Sequence, residues 1–174
     1  GYEVKSVILD RAVVNAIVLK DGSANWDIAK ESTEAEAADT TASTLKLQLK
    51  QVEIRNTSIS YNDAESDMAA RINNLNFRLS GDMTGSETDL LIGLNIGELD
   101  VIMEGVKYLN NAIVDAKIGL LANLDDMKFT FGENYLALND LKLNFTGMVA
   151  MPGDDIQTDL KFGTVNTSFK TLLS

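Results

Sequence analysis

Among the side chains that most often do acid–base or metal chemistry, this sequence offers chiefly carboxylates, because it contains neither histidine nor cysteine. The usual proton-transfer group near neutral pH and the commonest metal ligand are therefore missing, and neither disulfides nor thiol chemistry take part. The acids fall in short clusters. Asp63-x-Glu65-x-Asp67 begins like a calcium loop, but Met68 stands where that loop needs glycine and Asn74 where it needs a bidentate glutamate; it reads as a solvated hairpin tip. Asp125-Asp126, and Asp154, Asp155 and Asp159 after Pro152-Gly153, have the composition of turns. Two carboxylates can also hydrolyse a glycosidic bond when held at a set separation, yet nothing in the sequence brings a pair together in an aromatic-lined cleft. Trp26 could serve as a ligand platform; beside Asn25 and Asp27 at a strand end it reads as a packing anchor. No catalytic residue, metal site or cofactor is expected, and the six methionines are scattered gap fillers.

With 15 basic against 26 acidic residues and a net charge of −11, the chain is a poor match for nucleic acid or an anionic membrane surface. No apolar run approaches the roughly 18 residues of a spanning helix, and no signal segment opens the chain, which leaves it cytoplasmic, processed, or part of something larger. The dominant signal is alternation of period two, as in Leu45-x-Leu47-x-Leu49, Leu75-x-Phe77-x-Leu79, Leu99-x-Val101-x-Met103, Val114-x-Ala116-x-Ile118-x-Leu120, Met127-x-Phe129-x-Phe131 and Leu141-x-Leu143-x-Phe145. Turn signals separate the runs at Asp21-Gly22, Asn62-Asp63, Gly81-Asp82, Asn110-Asn111, Asp125-Asp126, Gly132-Glu133-Asn134 and Pro152-Gly153-Asp154. The expectation is one mostly β domain over residues 1–174, a long antiparallel sheet of about nine to eleven strands. Residues 1–29 would supply N-terminal strands and 45–174 the main sheet. Residues 30–44 hold no bulky apolar side chain and read as an acidic linker or excursion. Residues 166–174 read as the start of a short C-terminal helix capped by Thr167 or Ser168, which leads to the expectation of a piece of a longer protein.

A longer element recurs in the apolar positions. With φ for an apolar residue, φ-x-φ-x-x-φ-x-φ occurs at Val7, Leu9, Ala12, Val14; at Leu47, Leu49, Val52, Ile54; at Ala70, Ile72, Leu75, Phe77; and at Leu136, Leu138, Leu141, Leu143. Each copy slips by one residue across a polar pair: Asp10-Arg11, Lys50-Gln51, Asn73-Asn74 or Asn139-Asp140. An uncorrected slip would turn half of the strand outwards, whereas a bulge restores the face. Asn and Asp suit a bulge because they tolerate left-handed backbone angles; they also suit a two-residue hairpin turn. The bulge is the better reading, because Lys50-Gln51 and Asp10-Arg11 fit that turn badly. Under either reading one face stays apolar over eight residues or more, about 26 Å at about 3.3 Å per residue. By itself such a stripe is the ordinary core face of a sandwich or barrel. It consists mainly of Leu, Ile and Val, with few of the aromatic platforms that sugar or base recognition uses.

Several stretches resemble the AsmA family of Gram-negative bacteria. Asp21-Gly22-Ser23-Ala24-Asn25-Trp26-Asp27-Ile28 is similar to that family's dG-x-x-NWd element, placing Gly22, Asn25, Trp26 and Asp27 on its motif. Val52-Glu53-Ile54-Arg55-Asn56-Thr57-Ser58-Ile59-Ser60-Tyr61-Asn62-Asp63, followed by 72–81, resembles its strand pair, with Thr57 where the family usually has glycine. Gly105-Val106-Lys107-Tyr108-Leu109-Asn110-Asn111-Ala112 and 167–173 resemble elements of a subgroup. The resemblance implies a periplasmic segment of an inner-membrane-anchored protein involved in outer-membrane assembly and phospholipid transport. The implied fold is a strongly twisted and curved sheet, groove- or taco-like, open or partly closed, with a greasy lining. It implies no enzyme activity. The lipid-facing candidates are Leu47, Leu49, Val52, Ile54, Ile72, Leu75, Phe77, Leu79, Leu138, Leu141, Leu143 and Phe145. The implied partners are phospholipid or another acyl-chain lipid, the remainder of the same protein, and membrane proteins at the inner and outer membranes, with no nucleic acid. The alternative is a structural or adhesive β-sandwich module that binds partner proteins.

Overall fold

A computed structural model describes residues 3–27, 46–82, 85–153 and 155–164. Nine strands follow one another along the chain: β1 (Glu3–Asp10), β2 (Val13–Val18), β3 (Lys46–Asp63), β4 (Met68–Ser80), β5 (Glu87–Met103), β6 (Val106–Asn123), β7 (Lys128–Leu138), β8 (Leu141–Ala150) and β9 (Gln157–Thr164). All belong to one sheet, in the order β1-β3-β4-β5-β6-β7-β8-β9, with β2 also on β3. The sheet is open, since β1 and β9 form its two ends. Among the described residues there is no helix; the expected C-terminal helix start and the acidic 30–44 stretch lie outside them.

One departure from an all-antiparallel sheet is at the first edge, where β1 and β2 run parallel to β3. A parallel pair needs a long connection to return the chain to the same end of the sheet, and the sequence between Val18 and Lys46 is long enough to make it. The remaining neighbours are antiparallel. Between β5 and β6 the turn is Glu104-Gly105, both with positive φ (51° and 73°), the backbone of a type I′ hairpin, whose twist matches that of its strands.

The polar slip sites are the organising feature. Leu9 to Val14 at the β1–β2 edge, Ile54 to Ile59 in β3, Phe77 to Ile72 in β4, Ile96 to Val101 in β5 and Val114 to Leu109 in β6 each span five positions between residues held in register. An odd span would put the two ends on opposite faces of a regular strand. Each span contains one extra residue, so both ends stay on one face. Left-handed backbone absorbs the extra residue at Arg11 (φ 52°), Asn56 (47°), Asn74 (54°) and Asn111 (49°).

The Asn73-Asn74 site is therefore a bulge, and Ile72 and Leu75 share a face, opposite Ile59 and Thr57 on one side and Leu99 and Ile96 on the other. At Asp10-Arg11 the bulge divides one edge strand into β1 and β2. Near Lys50-Gln51 the register against β1 shifts between Val4 and Ser6, while the left-handed residue of β3 is Asn56 instead. The fourth site differs: Asn139-Asp140 is the two-residue hairpin turn between β7 and β8, closed by the Leu138–Leu141 pair. Asn110-Asn111 and Gly132-Glu133-Asn134, expected as turns, lie inside β6 and β7. In both places side-chain oxygens stand in for lost ladder partners, so the strand continues. Asp100 Oδ1 accepts from Asn111 N at 2.9 Å, and Asn134 Oδ1 accepts from Gly119 N at 2.6 Å.

Gly147 fixes the last strand. Its φ is 130°, and a Cβ there would run into the backbone carbonyl of Asp159 on β9. Gly147→Ala is expected to lower stability by about 2 to 3 kcal/mol. The checks are the urea midpoint and amide exchange, with 157–164 losing protection before the β3–β6 centre; unchanged protection of β9 would contradict this role.

Candidate functional site

Cross-strand register assigns the apolar residues to one face. One row runs Leu9, Ile54, Phe77, Leu94, Ala116, Leu136, Leu143. The next, beyond the bulges, runs Thr57, Leu75, Ile96, Val114, Leu138, Leu141. Leu75, Ile96 and Val114 are buried and form the centre of the only core cluster among the described residues, with Ile54, Ile59, Ile72, Phe77, Leu94, Leu99, Leu136 and Leu138 packed around them. Every substantial contact between elements is between hydrogen-bonded neighbours; among the described residues no second layer lies on this face. Its side chains are half-buried chiefly by one another.

Ten of the twelve lipid-facing candidates fall on this face: Val52, Ile54, Ile72, Leu75, Phe77, Leu79, Leu138, Leu141, Leu143 and Phe145. Leu47 and Leu49 lie in β3, but their side chains are outside the described residues. The sequence reading missed that β5 and β6 bring the same pattern to the middle of the face, through Ile96 to Leu99 and Leu109 to Ala112. The signals were present in the polar pairs Gly97-Glu98 and Asn110-Asn111. Gly97 lies against Asn74, and a Cβ there would approach the Asn74 side chain to 3.1 Å.

Few polar groups interrupt the face. Thr57 is fully buried, and its Oγ1 donates to Arg55 O at 3.0 Å; the left-handed residue beside it is Asn56, so threonine fits where the resembling family has glycine. Asn134 is 2 % exposed, and its Nδ2 has no hydrogen-bond partner among the described residues. The opposite face is the more polar one, with the row Glu53, Arg78, Gly93, Lys117 and the row Ser60, Arg71, Asp100, although Leu91, Ile113 and Leu121 stand exposed on it. Glu53 and Arg55 pair there at 2.7 Å; hydrogen bonding to the guanidinium holds the Glu53 carboxyl below its ordinary range. Two hollows, of about 470 and 240 Å³, open on this polar face and not on the apolar one.

The Gly22, Asn25, Trp26 and Asp27 element closes an edge. The backbone doubles back after β2, with an Asp21 carboxylate accepting from Ser23 N and Oγ and Asp27 accepting from Ala24 N. Gly22 (φ 80°) makes this turn. Asn25 then occupies the outer rim of β2: its Oδ1 accepts from Ile17 N, its Nδ2 donates to Asn15 O, and its own N–H donates to Ile17 O, at 2.8–3.0 Å. An unpaired rim is where another strand would add, and one asparagine fills this one. Trp26 stacks on Tyr61 at 6.4 Å while remaining half exposed, which makes it an anchor to β3. Below it, Asp63 accepts from Glu65 N, Ser66 N and the Tyr61 hydroxyl. Hydrogen bonds from Ser66 lead in holding Asp63 below the ordinary aspartate range, and the bond to Asp63 raises Tyr61. Asp63, the first acid of the calcium-like stretch, is thus occupied in turning the chain.

No family model, curated protein or solved structure matches the chain.

Replacing Asn25 by alanine removes two side-chain hydrogen bonds and bares the β2 rim. It is expected to cost about 1 to 2 kcal/mol and to produce concentration-dependent self-association, seen by sedimentation velocity. Asp63 supplies a pH test. Its folded pKa is depressed, so its contribution is present above the unfolded value of about 3.9 and is lost as pH falls through the lower folded value. Fluorescence of Trp26, the only tryptophan, is expected to change in that acid range, and Asp63→Asn to abolish the change.

Proposed function

We propose that this chain is a non-enzymatic lipid-handling segment whose apolar sheet face shields acyl chains. The observation that carries this reading is the face itself: continuous from the first edge to β8, and lacking a second layer among the described residues. An apolar surface of that extent is unusual on a plain soluble monomer. Moving an acyl chain into water costs about 0.8 kcal/mol per CH₂, so a path for lipid must offer apolar contact at every step. Leu, Ile and Val in unbroken rows offer this without a deep pocket that would hold the cargo in one place. The polar reverse face and the net charge of −11 keep the sheet soluble while one side is greasy.

In this reading the resemblance to the AsmA family supplies the setting, a periplasmic segment of an inner-membrane-anchored protein with phospholipid as cargo. The rest of that protein and membrane proteins at either membrane would be its partners. The β-sandwich alternative calls for a second sheet over the apolar face, whereas all nine described strands belong to one sheet.

The test is site-specific photo-crosslinking with vesicles of phosphatidylethanolamine and phosphatidylglycerol. Benzoylphenylalanine at Phe77, Leu99 or Leu143 is expected to capture phospholipid at least tenfold more efficiently than at Arg78, Lys117 or Asn144 on the reverse face. Equal labelling of the two faces, or no lipid captured by folded protein, would overturn the proposal.

A further inference from the structure

We propose that the polar face carries a separate binding site for a small phosphate-bearing molecule, in the hollow spanning β3 to β6, with Arg71 and Lys107 as its cationic ligands. The hollow has a volume of about 470 Å³, within the range of small-molecule sites. Its physical origin is side-chain size: Ser60 and Ala69 are small residues on adjacent strands, and longer side chains rise around them. Arg71 stands in register between Ser60 and Asp100, yet its guanidinium has no hydrogen bond or ion pair among the described residues. Asp100, the nearest candidate in its row, instead turns an oxygen to the Asn111 N–H at 2.9 Å. Lys107 Nζ donates to Asn110 Oδ1 at 3.0 Å and keeps two further donors.

In a chain with 26 acidic and 15 basic residues, an arginine left without a carboxylate partner is not explained by a shortage of acids. The donors determine the ligand class. A guanidinium fork matches an oxyanion in bidentate fashion, and Lys107 with the Asn62 amide adds donors from other sides. Donors converging from several sides suit the tetrahedrally arranged terminal oxygens of a phosphate monoester better than the two coplanar oxygens of a carboxylate. Ala69 and Ile102 leave room for a small apolar body beside it. The site lies on the reverse of the apolar face, so it is independent of acyl-chain binding there.

Amide-resolved NMR titration of the whole chain with inorganic phosphate and with glycerol phosphate, at low ionic strength, tests the site. The expected result is saturable shifts grouped at residues 60–62, 69–71, 100–102 and 107–111, with glycerol phosphate binding at least as tightly as inorganic phosphate. Arg71→Gln and Lys107→Gln should each weaken binding about tenfold, and Arg78→Gln should leave it unchanged, with native circular dichroism in all three. Absence of saturable shifts, shifts spread over all basic residues, stronger binding of acetate than of phosphate, or insensitivity to Arg71→Gln would overturn the assignment.

Discussion

Side chains on a strand change faces at every residue, so long strands must keep strict parity if one side of a sheet is to stay apolar from end to end. Along one band from the β1–β2 edge to β6 each element breaks parity and repairs it with one extra residue. Because neighbours all carry the insertion, the register lost at one pair is regained within five positions, and cross-strand contacts above and below the band are intact. In β7, where neither neighbour shares the extra residue, a bulge between Phe131 and Asn134 still returns Phe131 to the side of Leu136, but the register with both neighbours shifts there. These extra residues are the condition on which the continuous face rests.

The band needs its own chemistry, because a bulge leaves backbone groups without ladder partners. Asparagine answers both requirements. It takes left-handed angles at modest cost, and its side chain imitates the missing peptide group. Asn76 Oδ1 accepts from Asn56 N at 3.1 Å, and Asn139 Oδ1 accepts from Ile113 N at 2.8 Å while Asn139 N donates to Ile113 O. The last pair explains why the fourth copy of the pattern ends in a turn and yet sits at the level of the band: the β7–β8 hairpin closes where β6 is bulged, and its turn residue docks there. The same device recurs at the edge, where Asn25 imitates a passing strand along β2. Asparagine thus serves at several of the places where backbone pairing stops.

The strands and the apolar face were legible because alternation of period two is a direct image of burial on one side. Ile72, Leu75 and Phe77 could be placed together from spacing alone. What spacing could not separate was bulge from hairpin at Asn139-Asp140, since both preserve the face across a step of three and both favour a left-handed asparagine. The parallel pairing of β1 and β2 was hidden for a different reason: strand direction depends on the connection, not on the strand's own residues. At Asn110-Asn111 the composition of a turn was real, but Asp100, ten positions earlier in the chain, decided that the strand would continue. Turn propensity is local, whereas that hydrogen bond exists only once β5 and β6 have paired.

A single sheet layer also changes what burial means for this molecule. In a two-layer domain the partner layer excludes water from the apolar side; here, among the described residues, the large apolar side chains of the face that are buried cluster in the row through Leu75, Ile96 and Val114, where neighbours on both sides are large. Towards the edges the same rows end in exposed side chains, Val7 and Leu9 at one end and Phe162 at the other. Exposure therefore rises outward from the band along a surface whose chemistry does not change. Shielding of a flexible apolar chain calls for such a gradient: a centre that holds the sheet together through its own side chains, and flanks whose apolar contacts are still unmade. The stability of the sheet and the lipid uptake proposed for it thus draw on different parts of one face, and the central row can be kept intact while the flanks are varied.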